Sequence, residues 1–305
     1  MSSVSSVKQA LIGVFFACLS TCLGGTTVVF TRFIIDQTDP LSLTFLRYGI
    51  AALVLFLFLP RKNSLWAFSR RDTIALTIMG AIMFACFPYF MATALEDTTA
   101  ARGGLLFATM PLITIIMAAM FRVEKLTWLK GAAILLAIAG AFTALGERVD
   151  SIAPNALRGD FFMFLGMLCA SSFNVFSGKY LIKYGNLQVL IYTIFVGVAC
   201  LFVLALFFGK PFSGSLSFDG VGWLVFFMLA VPGGALMMYA WGRALQSITP
   251  TQAAITVGLN PLTAILLAAP LLGEPITLRV LGGFVLIFAA IIVANYRKRS
   301  RTETV

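Results

Sequence analysis

Three polar side chains stand inside long apolar stretches of this chain, where each is able to do chemistry: Arg47, Asn174 and Asn260. Polar groups in hydrocarbon are costly, so those present face an interior or bind something. A guanidinium such as Arg47 can clamp a carboxylate through two parallel hydrogen bonds. It can equally tie its helix to backbone carbonyls, or to an acid at the rim such as Glu96 or Asp97. Asn174 and Asn260 each offer donors and acceptors suited to an ammonium or a carboxylate. The structural alternative is an interhelical hydrogen bond holding a bundle together. Thr26 and Thr27 add hydroxyls at similar depth, beside Gly24-Gly25, where backbones can approach closely.

Aromatic residues widen the candidate set. Tyr89, Phe90, Phe107, Phe176, Tyr239 and Trp241 fall near these polar positions. Their rings offer edge and face contacts to an aromatic ligand and attraction for a cation. Trp241 also falls near a span edge, where Trp anchors at a membrane interface. Pro88 and Pro232-Gly233-Gly234 interrupt apolar runs and are candidates for gating bends or for fixed kinks.

Absences narrow the chemistry. There is no His in the chain, and the acids fall in loops, tails or at span edges. A membrane metalloprotease needs His ligands, and a Ser/His hydrolase needs its base. The sequence therefore implies no enzyme, no metal and no cofactor. Cys18, Cys22, Cys86, Cys169 and Cys200 all lie in apolar runs and read as small core residues, not disulfides.

The elements that must hold these groups are membrane helices. Apolar residues make up 60% of the chain and charged ones 11%, against about 25% charged in a soluble domain. Ten apolar runs near the length that crosses a bilayer occur at about 10–31, 41–59, 74–94, 103–121, 129–145, 161–178, 187–208, 221–241, 252–272 and 278–296. The first run is long enough to cross and lacks a cleavage signature, so it is expected to be retained. With the N-terminus inside and ten alternating spans, fifteen of the 22 basic residues collect on the inner side and six on the outer, with Arg47 within a span. This positive-inside pattern predicts both termini in the cytoplasm. It makes the basic tail after Asn295 a topology anchor and excludes nucleic acid as the partner.

The chain also repeats itself. "MPLITIIMAAMFRVEKLT" (110–127) and "NPLTAILLAAPLLGEPIT" (260–277) match at seven of eighteen positions at an offset of 150, including Pro111/Pro261, Glu124/Glu274 and Thr127/Thr277. Tyr89/Tyr239, Ala94/Ala244 and Leu95/Leu245 extend the offset upstream, and Thr27/Asn174 and Arg32/Lys179 match at 147. Five spans on each side of about residue 147 make the second half enter the membrane upside down. The expected fold is an all-α membrane protein, two inverted five-helix repeats (1–147 and 148–305) around a central cavity, the plan of many secondary transporters. Each proline is expected to bend its span, each glutamate to sit at the following membrane edge and each threonine to cap the next helix. Pro88 and Pro232 do not align at 150, so the halves are expected to bend differently.

These features resemble the EamA family of the drug/metabolite transporter superfamily: ten spans in two inverted fives, Leu46-Arg47 in the second span, and Pro-x(12)-Glu in spans four and nine. Within it, the aromatic-rich sequence is similar to YddG-type exporters of aromatic amino acids. The resemblance implies a basket of eight helices around a central cavity, with spans five and ten peripheral. It also implies amino acid export across a bacterial inner membrane. The residues add that no carboxylate or His sits mid-membrane to carry a proton, so a monomeric facilitator working by alternating access is expected. Aromatic and other neutral amino acids are the expected substrates. Proton-coupled efflux of cationic drugs or other small metabolites is the alternative.

Overall fold

The computed structural model describes residues 2–59, 68–107, 109–122, 128–145, 154–208, 218–248, 253, 256–273 and 277–295. Among them every regular element is helical. The first half holds α1 (Ser2–Ile34), α2 (Pro40–Leu57), α3 (Arg70–Asp97), α4 (Ala100–Phe107), α5 (Met110–Met120) and α6 (Trp128–Leu145). The second holds α7 (Ala156–Tyr184), α8 (Asn186–Phe208), α9 (Gly220–Ser247), α10 (Leu259–Leu272) and α11 (Leu278–Asn295). Seven described helices are long and apolar enough to cross a membrane. Three shorter apolar helices, Gly131–Gly140, Thr263–Leu272 and Leu278–Ala290, stand where the sequence places spans five, nine and ten.

Local sequence starts these helices in matched ways. The Asp39 carboxylate accepts from the Ser42 amide at 2.9 Å ahead of Pro40, which needs no N–H partner at the first turn. Ser69 caps α3 through the Asp72 amide, and Asp219 caps α9 through the Gly222 amide at 2.6 Å. Ser69 and Asp219 are 150 apart, so the repeat preserves the cap while changing the residue. Thr277 caps α11 as expected, accepting from the Val280 amide at 3.3 Å. Glu124, Thr127 and Glu274 lie outside the described residues.

One expectation about bends is corrected. Pro111 lies within the apolar span Arg102–Met120, in the first turn of α5, where its missing N–H costs nothing. The halves do not deviate at different places. A π-helical turn at Ile82–Cys86 interrupts α3 and another at Val231–Leu236 interrupts α9, and 82–86 shifted by 150 falls within the second. The extra residue of a π turn, not the proline, marks the equivalent position. Pro88 follows the first turn, and Pro232 lies within the second.

Packing exchanges partners between halves. α1 packs on α9 and α10, while its counterpart α7 packs on α3, α4 and α5. The counterparts α2 and α8 pack on each other, and α6 and α11 pack chiefly together. This is the pattern a pseudo-twofold axis produces. The α6–α11 pair is close because both backbones are bare at one point: a Cβ on Gly140 would lie 2.9 Å from the Gly283 carbonyl oxygen. The five cysteines are free; Cys169 and Cys200 pack against buried clusters, whereas Cys86 is exposed, which corrects the core reading at that position.

Candidate functional site: a cavity on the repeat axis

The helices leave a partly open cavity between the halves, with about 590 Å³ of empty space when the open solvent at its mouth is included. Outside α1 and α7, four pairs of residues at the 150 offset line it: Phe87/Met237, Met91/Trp241, Phe107/Val257 and Met110/Asn260. Thr27 and Asn174, paired at 147, line it too. The cavity therefore lies on the axis that relates the repeats, where each half presents the same backbone positions.

Helical spacing explains which candidates reach it. Met83, Phe87 and Met91 stand four residues apart and share one face of α3; Met237 and Trp241 do so on α9, and Ala170 and Asn174 on α7. Tyr89, Phe90, Phe176 and Tyr239 fall on other faces and do not line the cavity. Phe90 stacks on Phe162 with centroids 6.0 Å apart, Phe176 meets Phe121 edge-on at 5.0 Å, and Tyr239 meets Phe16 edge-on at 6.4 Å. Tyr89 packs beside Leu41 and Leu201. Thr26 turns away as well, donating to the Leu23 carbonyl at 2.7 Å. Of the sequence candidates, Thr27, Arg47, Phe107, Asn174, Trp241 and Asn260 are brought together. Trp241 is a cavity residue rather than an interfacial anchor.

The lining has residues the sequence reading missed. Ser20, Thr21 and Tyr48 add hydroxyls, and five of the 12 methionines, Met83, Met91, Met110, Met237 and Met238, supply thioethers. Thioethers are flexible and polarizable, so this wall adapts to ligands of different shape. The signal was available: 20, 24 and 27, like 83, 87 and 91, form a helical stripe converging on polar positions.

Each polar side chain is held by a specific contact. Arg47, 2% exposed, donates from Nε to the Leu229 carbonyl at 3.1 Å and from Nη2 to the Gly233 carbonyl at 3.0 Å. Leu229 stands in the last turn before the π turn of α9, and Gly233 lies within it. The guanidinium thus braces α2 to α9 and also sits against the Tyr48 ring, 5.1 Å from its centroid. The backbone-linking alternative holds for these two bonds, and Arg47 still faces the cavity. Trp241 donates its indole N–H to Asn174 Oδ1 at 3.2 Å, and Asn174 Nδ2 points to the Met110 sulfur at 3.8 Å. Asn260 is 2% exposed, and its Oδ1 has no hydrogen-bond partner. It fits against α1 because Gly24 lacks a side chain; a Cβ there would lie 2.4 Å from that oxygen. The equivalent contact across the axis joins Ser171 to the Met110 carbonyl at 3.1 Å.

The candidate gate residues pack tightly. A Cβ on Gly233 would lie 2.6 Å from Thr27 Cγ2, and one on Gly234 would lie 3.0 Å from Ala51 Cβ. Pro88 is buried beside Phe87, and Pro232 is the second residue of the π turn. The two ends of the bundle differ. At one, the buried Arg102 and Asp160 form an ion pair, with Thr98 donating to Asp160 Oδ1 at 3.2 Å. At the other, the counterparts of Asp160 and Thr98 are Gly13 and Ile248, and a Cβ on Gly13 would lie 2.7 Å from Ile248 Cγ2.

A helical, multi-pass membrane protein with two related halves and a cavity on their common axis has the architecture of a secondary transporter. The model of the EamA-like transporter family matches at residues 11–146 and again at 157–296, and the chain belongs to that family. It is 24% identical over 279 residues to the uncharacterized transporter YyaM of Bacillus subtilis (strain 168), covering 89% of each chain. It is 22% identical over 276 residues to the uncharacterized transporter YoaV of the same organism, covering 90% of this chain and 94% of that one. An uncharacterized transporter of Archaeoglobus fulgidus is 23% identical over 273 residues, covering 88% and 92%. A solved crystal structure matches in fold with a TM-score of 0.70 at 20% identity, over 94% of this chain and 96% of the other.

Proposed function

We propose that the chain is an exporter of neutral amino acids, aromatic ones foremost, working by alternating access at the cavity on the repeat axis. The observation that carries this reading is the lining: methionine and aromatic surface, three neutral hydroxyl-bearing positions on α1, two amides and one guanidinium. A zwitterion with an apolar side chain needs that combination. A nucleotide sugar would want more cations than Arg47, and a cationic drug would want an acid. No carboxylate lines the cavity among the described residues. For the same reason the transport is that of a facilitator, driven by the substrate's own gradient. The protein acts as a monomer in a bacterial inner membrane, as a transporter and not an enzyme. Ten spans with both termini in the cytoplasm follow from the charge distribution. The test is counterflow in liposomes without an ion gradient, against a panel of all common amino acids. Phe, Trp, Thr and Met are expected to exchange, and Asp, Glu and Lys to fail. Exchange of a cationic dye with no exchange of amino acids would move the function to drug efflux; dependence on an imposed proton gradient would remove the facilitator.

A further inference from the structure

Beyond Asn174 and Trp241 lies a second, smaller cavity. Met110, Asn174, Trp241 and Val257 line both cavities, whereas Pro111, Thr114 and Leu245 line only the second. It holds about 260 Å³ of empty space when open solvent is included. From Met110 to Thr114 on α5, and from Trp241 to Leu245 on α9, the wall advances one turn on the same helix face, about 6 Å. The same step on α7 leads from Asn174 to Gly178, where a Cβ would meet nothing within 4 Å. α7 and α9 run in the same direction. They are joined by Trp241 and Asn174 at 3.2 Å and, past Gly178, by Gln246 Nε2 donating to the Leu181 carbonyl at 3.3 Å. The three helices thus lead from the central cavity toward the end bearing Arg122, Lys179, Lys183 and Arg243.

The other end is sealed at the equivalent level. The counterparts of Thr114 and Leu245 at 150 are Ala264 and Leu95, and that of Gly178 at 147 is Thr31. Thr31 is 1% exposed, and Leu95 and Ala264 are 0%, whereas Thr114, Gly178 and Leu245 are half-buried. Leu95 and Ala264 belong to one buried cluster with Val28 and Met163. α4 presses on that cluster at the bare Gly103, where a Cβ would lie 3.0 Å from Leu95 Cδ2 and 3.1 Å from Met163 Cε. The same level of the two halves is therefore packed shut on one side of the central cavity and open on the other.

We infer that the smaller cavity is the path by which substrate reaches the central cavity from the basic, cytoplasmic end. Thr114, Gly178 and Leu245 form its gate, and Thr31, Leu95 and Ala264 form the gate of the opposite end. Equivalent elements of an inverted repeat can exchange packings as the halves move against each other. The structure is the state open to the basic end, and in the alternate state the first triad closes as the second parts. The hydrogen bond between Trp241 and Asn174 stands where the two cavities meet, so a ligand passing between them goes by the indole.

This inference rests on alternating access at the central cavity and not on which substrate moves, and the experiment separates the two. The five native cysteines are replaced by Ala, and a single cysteine is placed at each of the six gate positions. Each variant is treated with the charged, membrane-impermeant thiol reagent MTSET in detergent, without substrate. Thr114→Cys, Gly178→Cys and Leu245→Cys are expected to react at least tenfold faster than Thr31→Cys, Leu95→Cys and Ala264→Cys. Equal rates, or the reverse order, overturn the path. In vesicles of either orientation the first three should react from the cytoplasmic face; reaction from the outer face overturns cytoplasmic entry. Gly178→Leu fills the path without striking packed atoms. It is expected to lower counterflow of labelled L-phenylalanine at least tenfold with melting unchanged. Full counterflow by Gly178→Leu overturns the path and leaves amino acid export in place. Labelling in the expected order, with no amino acid exchanged by the wild type, leaves the path standing while the amino acid reading falls. Should the cysteine-free background fail to fold, Gly178→Leu in the wild-type chain decides the matter.

Discussion

The two halves place the same positions around the cavity and fill them with different chemistry. On the first, Met91 and Met110 offer thioethers; on the second, their counterparts Trp241 and Asn260 offer an indole N–H and an amide. Arg47 braces the π turn of α9, whereas its counterpart at the 147 offset is Ile194, fully buried. The ion pair of Asp160 at one end has Gly13 as its counterpart at the other. Duplication thus preserves backbone shape, which is set by caps, π turns and glycine contacts. Divergence lies in side chains, and it makes one wall apolar, one π turn braced and one end ion-paired. A binding site needs that difference, since a symmetric lining would recognise two like ends rather than a zwitterion.

The largest effect is expected where an end of the bundle is ion-paired. Asp160→Leu leaves the buried Arg102 without its carboxylate, and removing one partner of a buried pair costs about 3–5 kcal/mol. Thermal unfolding in detergent should show a marked fall. Asp160 variants melting like the wild type would mean the two ends do not differ in stability.

Arg47 and Ile194 sharpen the comparison next. Arg47→Met removes two buried hydrogen bonds from a charged donor, each worth about 1.5–3 kcal/mol. Ile194→Met, close in volume, should cost under about 1.5 kcal/mol. The same melting assay ranks them, and equal losses would argue against a bracing role specific to α9.

Glycine contacts come third. Alanine at Gly25 would place a Cβ 2.4 Å from the Asn260 carbonyl oxygen, a backbone atom that cannot swing aside. Overpacking of this kind costs about 1–3 kcal/mol, and folded yield should drop. Gly282→Ala meets nothing within 4 Å and should be neutral or gain up to about 1 kcal/mol from helix propensity. The smallest effect is expected for Trp241→Phe, which loses one hydrogen bond to Asn174 worth about 0.5–1.5 kcal/mol. Melting should barely move, while the half-saturating concentration for exchange rises a few-fold.

Much of this was legible in the sequence because the physics was strong. Membrane spans are written in apolar length, and the repeat in matched Pro111/Pro261 and Tyr89/Tyr239. Helix direction was harder. Tyr89, Phe176 and Tyr239 have the right residue types at nearly the right depth but face away, because each is two residues from a lining position and two residues along a helix turn a side chain by roughly 200°. Phe90, one residue before Met91, is turned by roughly 100° and stacks on Phe162 instead. The methionines were passed over since thioethers carry no obvious chemistry. The π turns had no sequence mark in common: Ile82–Cys86 contains no proline or glycine, whereas Val231–Leu236 contains three such residues. Pro88 stands six residues past Ile82, the equivalent of Pro232.

The central claim is that the ligand binds in the cavity on the repeat axis, against the Trp241 side. The chain has four tryptophans. Replacing Trp66, Trp128 and Trp223 by Phe leaves Trp241 as a lone fluorescent reporter in the cavity wall. Titrating L-phenylalanine into this variant should change its emission saturably, with a midpoint matching that of counterflow, and 3-phenylpropanoate should do so only at least tenfold more weakly. Robust exchange of L-phenylalanine with the Trp241 emission unmoved throughout would contradict the account.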